Sequence, residues 1–253
     1  MTTAPEYVFT RDYEDNNRIW LTDVASRLPT AVQLDGFDIS FDAAPPQQWL
    51  SPNVSFRLWN IKHDAPEDVV GRYDIVHIRL FGYVLKDDEV EDALKRLTTL
   101  LKPGGYIQWG EPDRDSFRLQ TTSRENKSDA MEQLRNLTAS QDPRMKPTWV
   151  TKLPELFTKC GLLNVEADVR DAPPDLAMAM HECNLTLHTL LPRQTKNHEA
   201  ARAVSSLLPE ACRETRAGSC YAFTRWTVVG MKPSCENTAA EHGWGSVNLG
   251  GST

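Results

Sequence analysis

The sequence predicts an α/β fold around an open, mostly parallel sheet. Two observations carry that expectation. Over residues 20–112, short apolar runs alternate with helical patterns, the alternation that builds parallel sheets through crossover helices. Within that stretch, "DDEVEDALKRLTTLLKPGG" is an amphipathic helix with start and stop signals, set between the strand-like runs "YDIVHIRLF" and "YIQWGEP".

The elements follow in order. In "LTDVASRLP", Leu21, Val24, Ala25 and Leu28 recur at helical spacing and Pro29 ends the helix. "AVQLDGFDIS" is a short strand with an acidic end. "APPQQWLSP" holds about one helical turn between prolines. "VSFRLWNI" is the next strand and "YDIVHIRLF" the one after. The long helix has Val90, Leu94, Leu97 and Leu101 as its stripe, and Asp87 or Asp88 to cap its start. Lys102 suits the negative end of its dipole, and "PGG" stops it. "YIQWGEP" is then a buried strand. Helices are expected near 123–139 and 151–160, a strand at "NVEADVR", helices near 175–191 and 197–216, and a last strand at "CYAFTRWTVVG". From residue 234 there is little periodicity, which reads as a disordered tail. Residues 1–233 then form a single domain with a helical elaboration in its C-terminal half.

A chain of 253 residues, 40% hydrophobic and 25% charged, is long enough for one large domain with a substantial core. A net charge of −7 and the absence of any basic run speak against nucleic acid or anionic membrane as partners. The opening residues show no apolar signal region, and no stretch is long enough to span a bilayer, so a cytoplasmic location is expected. The five cysteines are dispersed without a CxxC, which fits free thiols in a reducing compartment and no zinc site.

In open α/β sheets a ligand binds at the carboxyl ends of the strands. Asp38 ends the first strand, where an acid accepts hydrogen bonds from ribose hydroxyls; a turn or cap aspartate is the other reading of it. His77 and Arg79 share a face with Ile75 by period 2, and polar residues near the end of a buried strand need partners or a ligand. His77 titrates near neutrality and can act as a base. Ile107, Trp109 and Glu111 share a face of "YIQWGEPD", and an acid there suits a cation or a hydroxyl-bearing substrate. His181, Asn184 and His188 lie at helical spacing, a pattern that fits a helix facing a pocket or packing on a neighbour better than a metal site.

Taken together, "QLDGFDIS", "YDIVHIRLF", "LLKPGGYIQWGEPD", "PPDLAMAMHECN" and "AFTRWTVVG" resemble the fungal secondary-metabolite class I methyltransferases that use S-adenosylmethionine. The resemblance covers most of residues 5–233. It implies a Rossmann-like sheet with an antiparallel last strand, and cytosolic action on a small natural-product intermediate. It implies that Asp38 holds the cofactor ribose, and that Asn60 stands near the adenine where relatives often carry an acid. It also implies that His77, Arg79, Trp109 and Glu111 face the cofactor and substrate cleft, with Arg79 and Trp109 on the cofactor and His77 or Glu111 taking the acceptor's proton. Methyl transfer to O, N or C of a small molecule follows from the same resemblance.

One departure stands out. Members of the family usually carry a helix, the first strand and a GxGxG loop between the segments that here read "DNNRI" and "WL"; in this chain the two are joined directly. Such glycines let backbone N–H groups approach the cofactor. The first strand would normally lie between "QLDGFD" and "YDIVH". Unpairing both neighbours would cost on the order of 10 kcal/mol, comparable to the whole stability of a domain. Three outcomes are open: "EYVFT", residues 6–10, serves as a substitute strand; the two neighbours pair directly; or the chain folds poorly. The loss also opens two other functions on the same fold, a cofactor-free cyclase or isomerase and a non-catalytic pathway partner.

Overall fold

The computed structural model describes residues 19–234 apart from 43, 140–143, 145, 173 and 195–196. In its first half come α1 (Ile19–Arg27), β1 (Leu34–Asp38), β2 (Val54–Leu58), β3 (Tyr73–Arg79), α2 (Val90–Leu100), β4 (Leu101–Pro112) and β5 (Arg118–Thr121). Its second half holds α3 (Asp129–Ala139), α4 (Leu153–Lys159), β6 (Leu163–Asp171), α5 (Pro174–Gln194), α6 (His198–Arg216), β7 (Ser219–Ala222) and β8 (Thr224–Met231). The four-stranded sheet runs β3-β4-β8-β6; β3 and β4 are parallel, and β8 is antiparallel to both of its neighbours. β1 and β2 form a separate parallel pair, and β5 and β7 an antiparallel one. The fold is therefore α/β, mostly parallel, with the antiparallel strand last.

Several local expectations need correction. The last strand is two strands, β7 and β8, which part at Phe223 and join different sheets. α2 buries Val90, Ala93, Leu94, Leu97 and Leu100, but Leu101 already belongs to β4, with extended dihedrals of −74° and 139°. "PGG" thus lies inside the strand. Lys102 has left the helix and pairs with Asp74 at 2.8 Å. Lys232 takes over the helix end, donating to the Thr98 and Leu101 carbonyls at 3.0 and 2.8 Å. Asp87 does not cap α2; its carboxylate accepts from the Thr148 N–H and hydroxyl across a loop.

Period 2 and the register together decide what each face of the sheet meets. His77 lies opposite Gln108 and Ile78 opposite Trp109. Val76, Ile78, Ile107, Trp109 and Glu111 therefore share one face, buried with α2, Trp149 and Phe157 in the main core. Ile75, His77, Arg79 and Gln108 occupy the other face, on the α1 side. A second core joins α3, α6 and β7 through Met131, Leu134, Val204, Ala211 and Tyr221. There the Glu214 carboxylate accepts from the Ala130 and Met131 N–H groups, both at 2.9 Å, and so caps α3.

The sheet is interrupted. Among the described residues no backbone hydrogen bond joins β1 to β3, so the two do not pair directly. Side chains bridge the gap at its amino end: the Tyr73 hydroxyl donates to the Asp35 carboxylate at 2.6 Å, and Phe37 meets the Tyr73 ring edge-on. The segment "EYVFT" and the tail from residue 235 lie outside the described residues.

Candidate functional site

The gap between β1 and β3 is a cleft of about 460 Å³. Its walls are Asp35, Phe37 and Asp38 of β1 and residues 75–79 of β3; Leu97 and Leu100 of α2 close one side and Trp20 of α1 the other. Asp38, Asn60, His77 and Arg79 all line it.

Asp38 sits where β1 ends. Its Oδ1 accepts from the Ile39 and Ser40 N–H groups at 2.7 and 3.2 Å, so the turn reading holds while the residue also lines the cleft. Asn60 follows β2, and its Oδ1 accepts from the Lys62 N–H at 3.0 Å. His77 is fixed on two sides. Its ring stacks on Trp20 at 3.9 Å between centroids, and its Nδ1 lies 2.9 Å from Gln108 Oε1. An amide oxygen only accepts, so Nδ1 carries the proton and Nε2 keeps its lone pair. Nε2 is buried without a hydrogen-bond partner. Burial pushes the His77 pKa down, so the ring is neutral at pH 7. Arg79, two residues on, has no carboxylate partner among the described residues, and burial lowers its pKa as well.

Glu111 and Trp109 do not line this cleft: they lie on β4, and β3 stands between β4 and the gap. Trp109 is fully buried, packed edge-on against Trp149, and donates from Nε1 to Glu111 at 2.8 Å. Glu111 is 3% exposed and also accepts from the Phe81 and Gly82 N–H groups at 2.6 and 3.2 Å. Burial pushes its pKa up to about 7 against these three donors. The turn that it holds begins at Leu80, whose φ of 60° is left-handed, and Leu80 and Phe81 form part of the cleft wall.

His181, Asn184 and His188 are packing residues of the helical unit. His181 Nδ1 accepts from the Tyr221 N–H, and its Nε2 donates to Thr215 Oγ1 at 2.7 Å. Asn184 donates to the Met180 carbonyl, and His188 packs against the Tyr221 ring. Among the described residues no cluster of His, Cys, Asp and Glu is placed to hold a metal ion, and no helix is long and apolar enough to cross a membrane.

Sequence reading missed three cleft residues. Trp20 stands ahead of the periodic part of α1, so no stripe marked it. Asp35 is a polar residue inside a strand, and its signal was available: a buried carboxylate needs donors, here Ser55, Tyr73 and Gln33. Burial raises its pKa, but those bonds and Arg57 outweigh it and hold the carboxyl below its usual range. Trp59 meets Phe37 edge-on and belongs to the same wall.

No protein-family model matches the chain. Solved structures are similar to it at low identity. A phosphoethanolamine N-methyltransferase of Haemonchus contortus in complex with S-adenosyl-L-methionine is 14% identical, with a TM-score of 0.47 over 84% of this chain and 45% of that one. Curated relatives are closer in sequence. Methyltransferase grgD of Penicillium is 39% identical over 109 residues, which is 39% of this chain and 36% of that protein. N-methyltransferase verN of Clonostachys rogersoniana is 36% identical over 93 residues, 37% of this chain and 32% of the relative. N-methyltransferase gliN of Aspergillus fumigatus is 29% identical over 160 residues, 62% of this chain and 55% of the relative. The matches span from about a third to about half of these relatives' lengths, and in sequence the chain is similar to fungal methyltransferases.

Proposed function

We propose that the chain is an S-adenosylmethionine-dependent methyltransferase that methylates O, N or C of a small secondary-metabolite intermediate in the cytosol. The sequence similarity to fungal methyltransferases carries the reading. The cleft supplies side chains that fit the cofactor: an acid for its ribose hydroxyls at Asp38, an amide at Asn60, aromatic surface at Trp59 and Phe37, and a cation for its carboxylate at Arg79. When bound, the cofactor supplies a methyl group on a positively charged sulfur.

Methyl transfer is a direct displacement, so the protein's main work is alignment. Asp38 and Arg79 hold the two ends of the donor. His77, which lines the cleft, takes the acceptor's proton at Nε2, the ring nitrogen without a hydrogen-bond partner. Gln108 keeps the Nε2 lone pair available by binding the other ring nitrogen, and Trp20 fixes the ring plane. Glu111 acts from behind the wall: it positions the Phe81–Gly82 backbone and touches no substrate.

The test is calorimetric titration of S-adenosylmethionine into the 253-residue chain, followed by methyl transfer to amine, phenol and enol acceptors. Micromolar binding that Asp38→Ala weakens at least about tenfold supports the reading. A cooperatively folded chain with no binding removes it. One observation favours a second reading, a cofactor-free pocket: residues 1–35 contain no glycine. Turnover without S-adenosylmethionine would establish that reading instead.

A further inference from the structure

We propose that Glu111 is a positioning residue for the cleft: its ionised carboxylate latches the turn Leu80–Gly82 to the end of β4, and protonation releases that turn, so binding in the cleft depends on the charge of a group that touches no ligand. The inference rests on the reading that a ligand occupies the cleft, and it gives that site its regulation.

The first argument is the kind of partner. Glu111 Oε1 accepts from the Phe81 N–H at 2.6 Å and from Trp109 Nε1 at 2.8 Å, and Oε2 accepts from the Gly82 N–H at 3.2 Å. All three partners are N–H groups, which donate and cannot accept. The arrangement therefore fits a carboxylate. A carboxyl proton finds no acceptor among these partners, and the oxygen that carries it stops serving its N–H group.

The second argument is what the turn lacks without Glu111. β3 stops at Arg79, and Leu80 takes left-handed dihedrals of 60° and 33°. A leucine is unfavourable there and persists only where its surroundings hold it. Backbone bonds hold the flanks: the Leu80 N–H donates to the Gly110 carbonyl, and the Val84 and Leu85 N–H groups donate to the Phe81 carbonyl. Between them, the Phe81 and Gly82 N–H groups meet no described backbone carbonyl, and Glu111 supplies their acceptors.

The third argument is location. Arg79, Leu80, Phe81 and Val84 line the cleft, and Leu80 is 52% exposed. The turn thus has side chains on the ligand space and N–H groups on a carboxylate buried behind it. The Arg79 cation directly precedes this turn, so its placement follows the turn's.

The charge is set in a working range: burial pushes the Glu111 pKa up to about 7 against the three donors. The turn itself contributes Tyr83, a phenol that burial keeps protonated and that accepts from Arg114. β3 carries His77 and Arg79, which line the cleft, and β8 carries Arg225, which lies opposite Pro112. The segment that brings Pro147 near Gly82 carries Arg144 and Lys146. Among the described residues none of these cations pairs with Glu111.

Two-dimensional ¹H–¹⁵N NMR of the full chain without ligand, from pH 5.5 to 8.5, tests the latch apart from methyl transfer. The Phe81 and Gly82 amides and the Trp109 indole N–H are expected to titrate together with a midpoint of about pH 7, followed by the Arg79 and Leu80 amides of the cleft wall. Glu111→Gln keeps one acceptor oxygen and sets an amide N–H against Gly82, and is expected to abolish the common midpoint. Calorimetry then reads the cleft: from pH 8 to 6, affinity for S-adenosylmethionine is expected to fall about three- to tenfold further in the unsubstituted chain than in Glu111→Gln. Phe81 and Gly82 resonances that stay fixed across the range overturn the proposal, and the unsubstituted chain alone decides this if the variant does not fold. A titration that Arg79 and Leu80 do not share, or an equal pH dependence of binding in the two chains, overturns it too and leaves Glu111 merely structural. Absence of cofactor binding at every pH defeats the methyltransferase reading, while the Arg79 and Leu80 amides still decide the latch.

Discussion

His77 shows how a single side chain is prepared by its surroundings. Gln108 sets the tautomer, Trp20 sets the ring plane, and burial keeps the ring uncharged. If His77 is the base, His77→Gln lowers kcat by about a hundredfold or more with little change in KM, in steady-state kinetics on an accepted substrate. The acid limb of kcat/KM then falls below pH 6.5, because burial moves the pKa down from that value. An acid limb at or above pH 6.5 would rule His77 out. Asp38 carries a double load, since its Oδ1 holds the Ile39 and Ser40 N–H groups of the following turn. Asp38→Asn keeps an acceptor for those donors and removes the charge. It is expected to weaken S-adenosylmethionine about tenfold while costing less than about 1 kcal/mol of stability, read by calorimetry and urea unfolding.

Among the elements, β1 and β3 are tied by side chains where a backbone ladder is lacking. Tyr73→Phe deletes the hydroxyl that reaches Asp35 and leaves a buried carboxylate oxygen short of a donor. The expected cost is about 1–3 kcal/mol in denaturant unfolding, larger than for a typical surface tyrosine. Most elements were legible in the sequence because their apolar spacing is strong; α2 shows its stripe in the letters alone. What the letters lack is the third dimension of a strand. Period 2 puts Ile107, Trp109 and Glu111 on one face, and that much holds. Which strand borders the cleft depends on the strand order, in which β3 separates β4 from the gap, and no local pattern encodes that order. Trp109 and Glu111 were therefore expected in the cleft and lie behind it. Lys102 failed for a related reason: the helix ends one residue before the last leucine of its stripe, so the lysine projects from a strand toward Asp74.

The whole molecule carries a pH dependence whose sign follows from buried histidines set against Glu111. His181 and His188, 0% and 8% exposed, have pKa values lowered by burial to about 4. From pH 6.5 downward the unfolded chain takes up protons that the folded one refuses, so this stabilisation is complete above 6.5 and is lost as the pH falls toward 4. Glu111, raised by burial to about 7, works the other way: between pH 4.5 and 7 the folded chain keeps a proton that the unfolded chain releases. His181 and His188 against Glu111 leave a net loss of about 2 kcal/mol from pH 7 to 4.5, and His77, also lowered by burial, acts in the same direction as the other histidines. Glu111→Gln removes the opposing contribution, so the loss should roughly double in urea unfolding at the two pH values. An unchanged loss would show that Glu111 is ionised in the folded chain.

The place of β8 in the sheet has a consequence for how the chain is made. β4 and β6 never touch along their backbones; β8 lies between them and bonds to both. It is also the last described strand to be synthesised, with Thr224 following Pro112 by 112 positions. Until it leaves the ribosome, β4 and β6 each present an open edge, and the nascent chain must wait with two half-sheets that can recruit the wrong neighbour. Yield in the cell should therefore depend on chaperone supply during translation more steeply than the finished fold's stability would suggest.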